Sequence, residues 1–334
     1  MVQNVLITTH APDEWVGLPT ELRVAFCGYS SQEIDRAITS DTEILVTDAL
    51  PTALERCGAL RWVQLLSAGA NQLIGHPLAV RELLFSSAAG ISAIHIAEHV
   101  VARVLYHTKE LHVFEGFQRE HVWPNRSTMA RPSLRGQTAL IVGYGGVGRE
   151  TARLLSAFGM RIIAVASDGA RRPYRGYLPY AGVGDPMASI PEQVIAPDAL
   201  PDVLPSADLL VLAVPLTPAT RGMIDAAALA RMRASAILVN VARGAVVDTP
   251  ALLAALDAQQ IAYAYLDVFE QEPLSPESLL WDHPRISITA HMAGVMPDDS
   301  ERYRDLFLQN LARYRAGEPL LNLLDRRKFV VQGN

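Results

Sequence analysis

The sequence predicts an α/β protein with two doubly wound parallel sheets. Short apolar runs alternate with helical periodicity in two separate series, the pattern produced by parallel sheets covered with helices on both faces. At 334 residues the chain is long for one core, so two domains are expected. Near Gly90, between the series, the texture changes to one long helical stretch.

In the first series NVLIT (4–8), LRVAF (22–26), EILVT (43–47), WVQLL (62–66) and ELLFSS (82–87) read as buried strands. SQEIDRAIT and LPTALERCG (50–58) read as the helices between them,. Ser92 is placed to N-cap a single helix through 94–120, which ends before WPNRS and a turn at RPSLRG,.

The second series holds TALIVGY (138–144), MRIIAVA (160–166), ADLLVLAVP (207–215), SAILVNVA (235–242), IAYAYLDVF (261–269) and ISITA (286–290). Helices fit at 148–158, 225–232 and 250–258. Residues 168–205, rich in Pro, Gly and Tyr, have no sustained period and form a long excursion between strands; such loops usually serve function or motion. The amphipathic stretch SERYRDLFLQNLARYRAGEP is a terminal helix expected to pack on the first domain, making that domain discontinuous,.

Half of the residues are hydrophobic and 19% are charged, with a net charge of −6. That balance argues against nucleic acid or an anionic membrane as partner. Cys27 and Cys57 lack metal or redox spacing, MVQNVLITTH has no secretory pattern, and no apolar run reaches membrane-spanning length. A cytoplasmic protein is expected.

Gly143-Tyr-Gly145-Gly146-Val147-Gly148 fits G-x-G-x-x-G. The bare pattern is weak, but its setting is specific: an apolar strand enters it, an amphipathic helix leaves it, and RIIAVA follows at once,. Gly143 allows the tight turn, Gly145 the approach of backbone to a pyrophosphate, and Gly148 the packing of helix on strand. The helix N-terminus offers N–H groups to phosphate. A dinucleotide is therefore expected. Where an NAD site carries an acid, at the end of the second strand, this chain has Ala166, and Asp168 falls in the loop beyond it. Arg171 and Arg172 favour the 2′-phosphate of NADP over NAD, with simple solvation as the other reading.

Arg243 follows a buried strand directly before Gly244, a costly place for an arginine unless it meets an anion. Asp267 and Glu272 follow the next strand, and His291 the last. Parallel α/β sheets gather functional groups beyond the carboxyl ends of their strands, where a dinucleotide also lies. Alone, His291 reads as a buried ring with satisfied bonds. Beside an arginine and a carboxylate it reads as a proton donor.

GYGGVG, NVARGAVVD, DVFEQEP and TAHMAG occur in that order over almost the whole chain. Together they resemble the D-isomer-specific 2-hydroxyacid dehydrogenases. The resemblance implies a Rossmann cofactor domain at 101–291 and a discontinuous flavodoxin-like substrate domain at 1–100 and 292–334. It implies reduction of a small 2-oxo acid, of the glyoxylate or hydroxypyruvate kind, with Arg243, Glu272 and His291 as the catalytic set. Hydride reaches the carbonyl carbon from the nicotinamide, and His291 supplies the proton. Glu272 favours the charged imidazole, and Arg243 grips the substrate carboxylate and polarises the carbonyl. Asp267 falls where the family holds the nicotinamide carboxamide; a turn-capping carboxylate is the other reading. Gly146, Val147, Ser167, Val214, Pro215 and Val241, with Arg243 and His291, complete the implied cofactor contacts. SAGAN (67–71) resembles the carboxylate-binding loop, with the N–H groups of Ala68, Gly69 and Ala70 facing the anion. A homodimer through the cofactor domain, using the arm near 100–135, is implied as well. Two departures stand out: Ala290 replaces a usual proline, and the excursion is longer than the family's connection by roughly a dozen residues.

Two other readings stay open on sequence. His95-Ile-Ala-Glu98-His99 fits H-x-x-E-H, a zinc-peptidase signature for which no third ligand is obvious,. A dinucleotide-sensing corepressor could keep the fold and the whole catalytic set. Arg61, Trp123 and Met292 are candidate pocket residues, with plain packing as the alternative.

Overall fold

The computed structural model describes residues 2–125, 133–297 and 299–330. They form two compact units, one of Met1–Ile91, Arg175–Pro179 and Pro297–Asn334, the other of Ser92–Tyr174 and Tyr180–Met296.

The first unit is built on five parallel strands, β1 (Gln3–Thr8), β2 (Leu22–Cys27), β3 (Ile44–Thr47), β4 (Trp62–Leu65) and β5 (Leu84–Ser86), in the order β2-β1-β3-β4-β5. This is the flavodoxin-type order, with its switch point between β1 and β3. Alternate residues serve opposite faces. Leu6, Leu45, Val63 and Phe85 pack with Ile34 of helix α1 (Ser31–Ala37). Val5, Ile7, Ile44, Val46 and Trp62 pack with Phe307 and Leu311 of the terminal helix, Asp299–Ala316. A capping box between Ser30 and Glu33 opens α1,.

The terminal helix is also pinned by buried polar groups. Asn310 Nδ2 donates to Gln64 Oε1 (2.9 Å), which also accepts from Ser86 Oγ (2.8 Å), while Asn310 Oδ1 accepts from Leu321 N–H (2.7 Å). LPTALERCG, expected to be a helix, forms only a 3-10 turn at Leu54–Arg56. The Asp35 carboxylate accepts from Thr52 N–H (2.8 Å) and Ala53 N–H (2.9 Å), which leaves less than two turns of chain before Gly58.

The second unit holds seven parallel strands, β6 (Thr138–Val142), β7 (Arg161–Val165), β8 (Gln193–Ile195), β9 (Leu209–Leu212), β10 (Ile237–Asn240), β11 (Tyr263–Leu266) and β12 (Ile286–Ile288). Their order, β12-β11-β10-β9-β6-β7-β8, is the Rossmann order with one strand added,. The helices are α2 (Ala93–Thr108), α3 (Leu111–Glu120), α4 (Gly146–Ala157), α5 (Leu200–Val203), α6 (Ala226–Arg231) and α7 (Thr249–Asp257). Ile141, Val211 and Val239 pack with Val100 and Val104 of α2 and with Leu155 of α4. Leu140, Leu210 and Leu238 face Leu229 of α6 and Leu256 of α7. Asp225 and Asp248 cap α6 and α7 through Ala228 N–H (2.8 Å) and Ala251 N–H (3.0 Å).

Three expectations are corrected here. The single helix through 94–120 is two: Thr108 Oγ1 bonds back to Val104 O (2.9 Å), and Glu110 turns left-handed (φ 48°). A threonine bonded to its own helix turn competes with the helix ladder. Ser92 precedes α2, but its side chain makes no capping bond. The excursion is not wholly irregular, because it carries β8 and α5. The units divide at Ile91/Ser92, and Val100, Val101 and Val104 of α2 pack in the core of the second unit.

Asn310→Ala strands Leu321 N–H and removes one of the two bonds to Gln64 Oε1, so a loss of about 1–3 kcal/mol is expected. A urea midpoint equal to the parent's would contradict the pinning role.

Candidate active site

The three glycines of the turn have different surroundings. Gly143 takes φ 101°, and a Cβ there would clash with the carbonyl of Ala213 beyond β9. Gly148 is packed so that a Cβ would strike the Gly143 carbonyl and press on Ile141 (3.1 Å). Gly145 has ordinary extended backbone (φ −85°, ψ −160°), and nothing lies within 4 Å of where its Cβ would stand. Two glycines are thus required by packing, and the third leaves open space at the N-terminus of α4. That space, beside N–H groups and a partial positive charge, fits a pyrophosphate.

The excursion is tied to this helix. Arg149, buried in the first turn, donates from Nε to Tyr144 O (3.0 Å), from Nη2 to Arg172 O (2.8 Å) and from Nη1 to Asp185 O. Its guanidinium lies over the Tyr144 ring (4.8 Å). Asp185 accepts from Tyr144 OH (2.6 Å), Ser189 N–H (2.8 Å) and Ile190 N–H (3.0 Å). Burial pushes the Asp185 carboxyl up, yet these donors hold it below the ordinary range,. The same pairing, with burial, drives the Tyr144 phenol upward.

Beyond β7, Ala166 and Ser167 stand at the strand end, with Ala166 N–H on Ile195 O (3.0 Å). Arg171 donates to the carbonyls of Ala188 (2.7 Å), Pro191 (2.5 Å) and Glu192 (2.8 Å), binding the excursion to itself. Arg172 is exposed and pairs with Asp168.

The expected catalytic residues come from adjacent parallel strands. Asn240 of β10 is level with Leu266 of β11, and Leu266 with Ile288 of β12. Arg243, Glu272 and His291 therefore leave the same edge of the sheet. His291 Nδ1 lies 2.7 Å from Glu272 Oε2, and Glu272 Oε1 accepts from Phe269 N–H (2.9 Å). Burial raises the Glu272 carboxyl. The bonds from His291 and Phe269 and the charge of Arg243 outweigh it and hold the group below the usual glutamate range. An ionised carboxylate has no proton to share, so Nδ1 carries the hydrogen of this bond. Nε2 has no hydrogen-bond partner among the described residues, and the ring is 49% exposed.

Arg243 is half-buried, with Nη1 on Ala242 O (2.7 Å). Asn240 braces its turn, accepting from Ala242 N–H (3.0 Å) and donating to Arg243 O (3.1 Å). A Cβ on Gly244 would overlap the Phe269–Glu270 backbone, so this glycine lets the Arg243 turn lie against the segment leading to Glu272. Asp267 takes the turn-capping role. Its Oδ1 accepts from Thr289 Oγ1 (2.6 Å) and Met292 N–H (2.9 Å), and its Oδ2 from Ala293 N–H (3.1 Å). His99 Nε2 lies 3.3 Å from Thr289 Oγ1. Because that hydroxyl gives its proton to Asp267, His99 must donate from Nε2. Asn240, Gly244, Thr289 and His99 were not singled out for these roles by sequence. A buried amide at a strand end was the signal for Asn240.

Val214 and Val241 are half-buried, and Pro215 is exposed, its carbonyl accepting from Thr220 Oγ1 (2.7 Å). Among the described residues no three His, Cys, Asp or Glu side chains form a group that could hold a metal, so the His95, Glu98 and His99 signature has no third ligand. Arg61 bonds to Leu60 O (3.0 Å), while Trp123 and Met292 are exposed. In the first unit, the N–H groups of Ala68, Gly69 and Ala70 find no acceptor among the described residues. Ser67 Oγ and Gln72 Nε2 brace that loop, bonding to Gly69 O (2.8 Å) and to Ser67 Oγ (2.9 Å).

A Rossmann sheet with an open glycine turn and a histidine–glutamate pair at its carboxyl edge defines a nucleotide-dependent dehydrogenase. A family profile described as D-isomer specific 2-hydroxyacid dehydrogenase, NAD binding domain, matches residues 101–293. The (S)-sulfolactate dehydrogenase of Chromohalobacter salexigens is 30% identical over 78% of this chain and 79% of its own. A D-isomer specific 2-hydroxyacid dehydrogenase from Xanthobacter autotrophicus, solved with NADPH and MES, is 26% identical with a TM-score of 0.79, covering 98% of this chain and 100% of its own. The NADPH-dependent glyoxylate/hydroxypyruvate reductase of Sinorhizobium meliloti, solved with NADP and sulfate, is 25% identical with a TM-score of 0.76, covering 98% and 99%. The chain belongs to the D-isomer specific 2-hydroxyacid dehydrogenase family, and it is an NAD(P)-dependent oxidoreductase.

Gly145→Ala is expected to leave the melting temperature unchanged and to weaken cofactor binding about tenfold or more, whereas Gly148→Ala should lower the melting temperature. Equal melting losses in both variants would contradict the division of roles. A glutamate held below its ordinary value, near 4.3 in the unfolded chain, stabilises the fold fully above that value and loses its contribution as pH falls through the lower folded one. The stability gap between parent and Glu272→Gln should therefore close as pH falls below about 5; melts across a pH series read this directly.

Proposed function

We propose that the protein reduces a small 2-oxo acid of the glyoxylate or hydroxypyruvate kind to the D-2-hydroxy acid. The observation that carries this reading is the 2.7 Å contact between His291 Nδ1 and Glu272 Oε2, which leaves Nε2 bare. Bound NAD(P)H supplies the hydride. Nε2 of His291 gives the proton to the carbonyl oxygen, and Glu272 fixes the ring and balances its charge. Arg243 takes the substrate carboxylate and stabilises the charge that develops on the oxygen. Three acceptor-free N–H groups make the Ala68–Ala70 loop of the first unit suited to a carboxylate.

Asp267 supports the turn that carries His291, and a contact to the carboxamide is assigned to its remaining lone pairs. Gly143 and Gly148 shape the turn that holds the pyrophosphate, and Gly145, Gly146 and Val147 stand against it,. Ala166, Ser167, Val214, Pro215 and Val241 line the remainder of the cofactor site. NADP is favoured over NAD. No acid stands at Ala166, and of the two arginines Arg172 is the one not tied to loop carbonyls. Two solved relatives with bound NADPH or NADP support the choice.

We further assign a homodimer and the cytoplasm. Helix α3 buries none of its residues, and Trp123 beyond it is 91% exposed, which suits a face covered by a second copy,. Cys27 and Cys57 are free thiols, as a reducing compartment favours,. No described helix is long and apolar enough to cross a membrane.

The test is a panel of 2-oxo acids with NADH and NADPH in parallel, repeated on His291→Ala. Turnover should fall by about 10²–10⁴-fold with cofactor affinity retained. Glu272→Gln should lower kcat about tenfold or more. A His291→Ala enzyme as fast as the parent would remove the proposed proton donor.

A further inference from the structure

The first unit has a cavity of its own. Its volume is about 420 Å³, and its wall includes Thr8, Trp15, Tyr29, Asp48, Asp299 and Tyr303. Every one of these residues belongs to that unit. Thr8 ends β1, and Asp48 directly follows β3, so the cavity opens at the switch point of the five-stranded sheet. Open α/β sheets take ligands at such points, and the volume falls within the range of small-molecule sites.

The wall selects the sign of the ligand. Asp48 and Asp299 contribute two carboxylates, and neither forms an ion pair among the described residues. Gln72 Nε2 reaches Asp48 Oδ1 at 3.3 Å, and Ser300 Oγ reaches Asp299 Oδ1 at 3.3 Å, so each carboxylate keeps its second oxygen. Glu14 adds a third carboxylate at the rim through Ser300, and Arg304 is engaged at the Glu14 carbonyl. His10 rests edge-on against the Tyr29 ring (4.8 Å). The terminal helix begins here and brings about half a positive charge. Two full negative charges exceed that, so an anion is disfavoured. Three aromatic rings in the wall add attraction for a cation. Burial and the nearness of Asp299 and Asp48 push the Tyr303 phenol up to about 12, in accord with the same negative field. A bare metal ion does not fit: the space is far larger, and no described trio of metal-binding side chains exists.

We propose that this cavity binds an organic cation, an ammonium or guanidinium group, between the carboxylates of Asp48 and Asp299 and the rings of Tyr29 and Tyr303. The cation has two possible sources, the side chain of a basic 2-oxo acid or a separate amine. The site itself stands whether or not the redox reading does, because its readout is binding.

Isothermal titration of the full-length protein with agmatine, and with glutarate as the anionic control, tests this. Agmatine should bind saturably at one site, and glutarate should not displace it. Asp48→Asn and Asp299→Asn should each weaken agmatine about tenfold or more, with unchanged melting curves showing that the variants fold. If bound agmatine competes with 5-guanidino-2-oxopentanoate but not with glyoxylate, the cation is a substrate side chain. If it changes glyoxylate turnover, or binds without affecting either substrate, it is a separate amine. No saturable binding up to about 10 mM, or equal affinity in parent and both variants, would overturn the proposal.

Discussion

A buried carboxylate is costly unless its lone pairs are used, and Asp267, only 4% exposed, uses its own on the turn that carries the histidine. Thr289, Met292 and Ala293 all donate to it, while its backbone carbonyl accepts from His291 N–H (2.8 Å). His291 is thereby held with a left-handed backbone (φ 55°), a conformation uncommon for a residue with a side chain and one that surrounding bonds must enforce. This anchor sets the backbone from which the imidazole reaches Glu272. The proposed catalytic pair thus depends on a residue whose visible contacts are with its own chain.

The same economy joins the other strand ends. Asn240 shapes the turn of Arg243, and Gly244 lets that turn lie against Phe269 and Glu270. Phe269 N–H in turn orients Glu272. His291 N–H bonds to the Asp267 carbonyl of the neighbouring strand end, and the Arg243 turn lies against Phe269 and Glu270, so the sheet helps to set their spacing,. Acyl, phosphoryl or hydride chemistry all need such fixed groups; the exposed Nε2 and the Arg243 guanidinium suit the proposed proton transfer to a carbonyl,.

Both sheets were legible because buried parallel strands write themselves as apolar runs: β6, β9 and β10 are each entirely buried. The glycine turn was legible in its flanks. Strand β8 was not, since one exposed and two half-buried residues carry no period. The break between α2 and α3 depends on a threonine hydroxyl choosing its own helix, which hydrophobic spacing does not encode. His291 and Glu272 were found through four motifs in order, while Thr289 and His99 were missed because their link spans 190 residues. The roles of Arg171 and Arg172 also diverge for a reason invisible in sequence: three carbonyls of the excursion converge on the first guanidinium.

The tautomer of His291 tests the central claim most directly. In nitrogen-15 NMR of the histidine-labelled protein at alkaline pH, the neutral ring should carry its proton on Nδ1, toward Glu272, with Nε2 bare. A neutral ring protonated on Nε2 would contradict the account, because the atom proposed to exchange a proton with substrate would then face the wrong way.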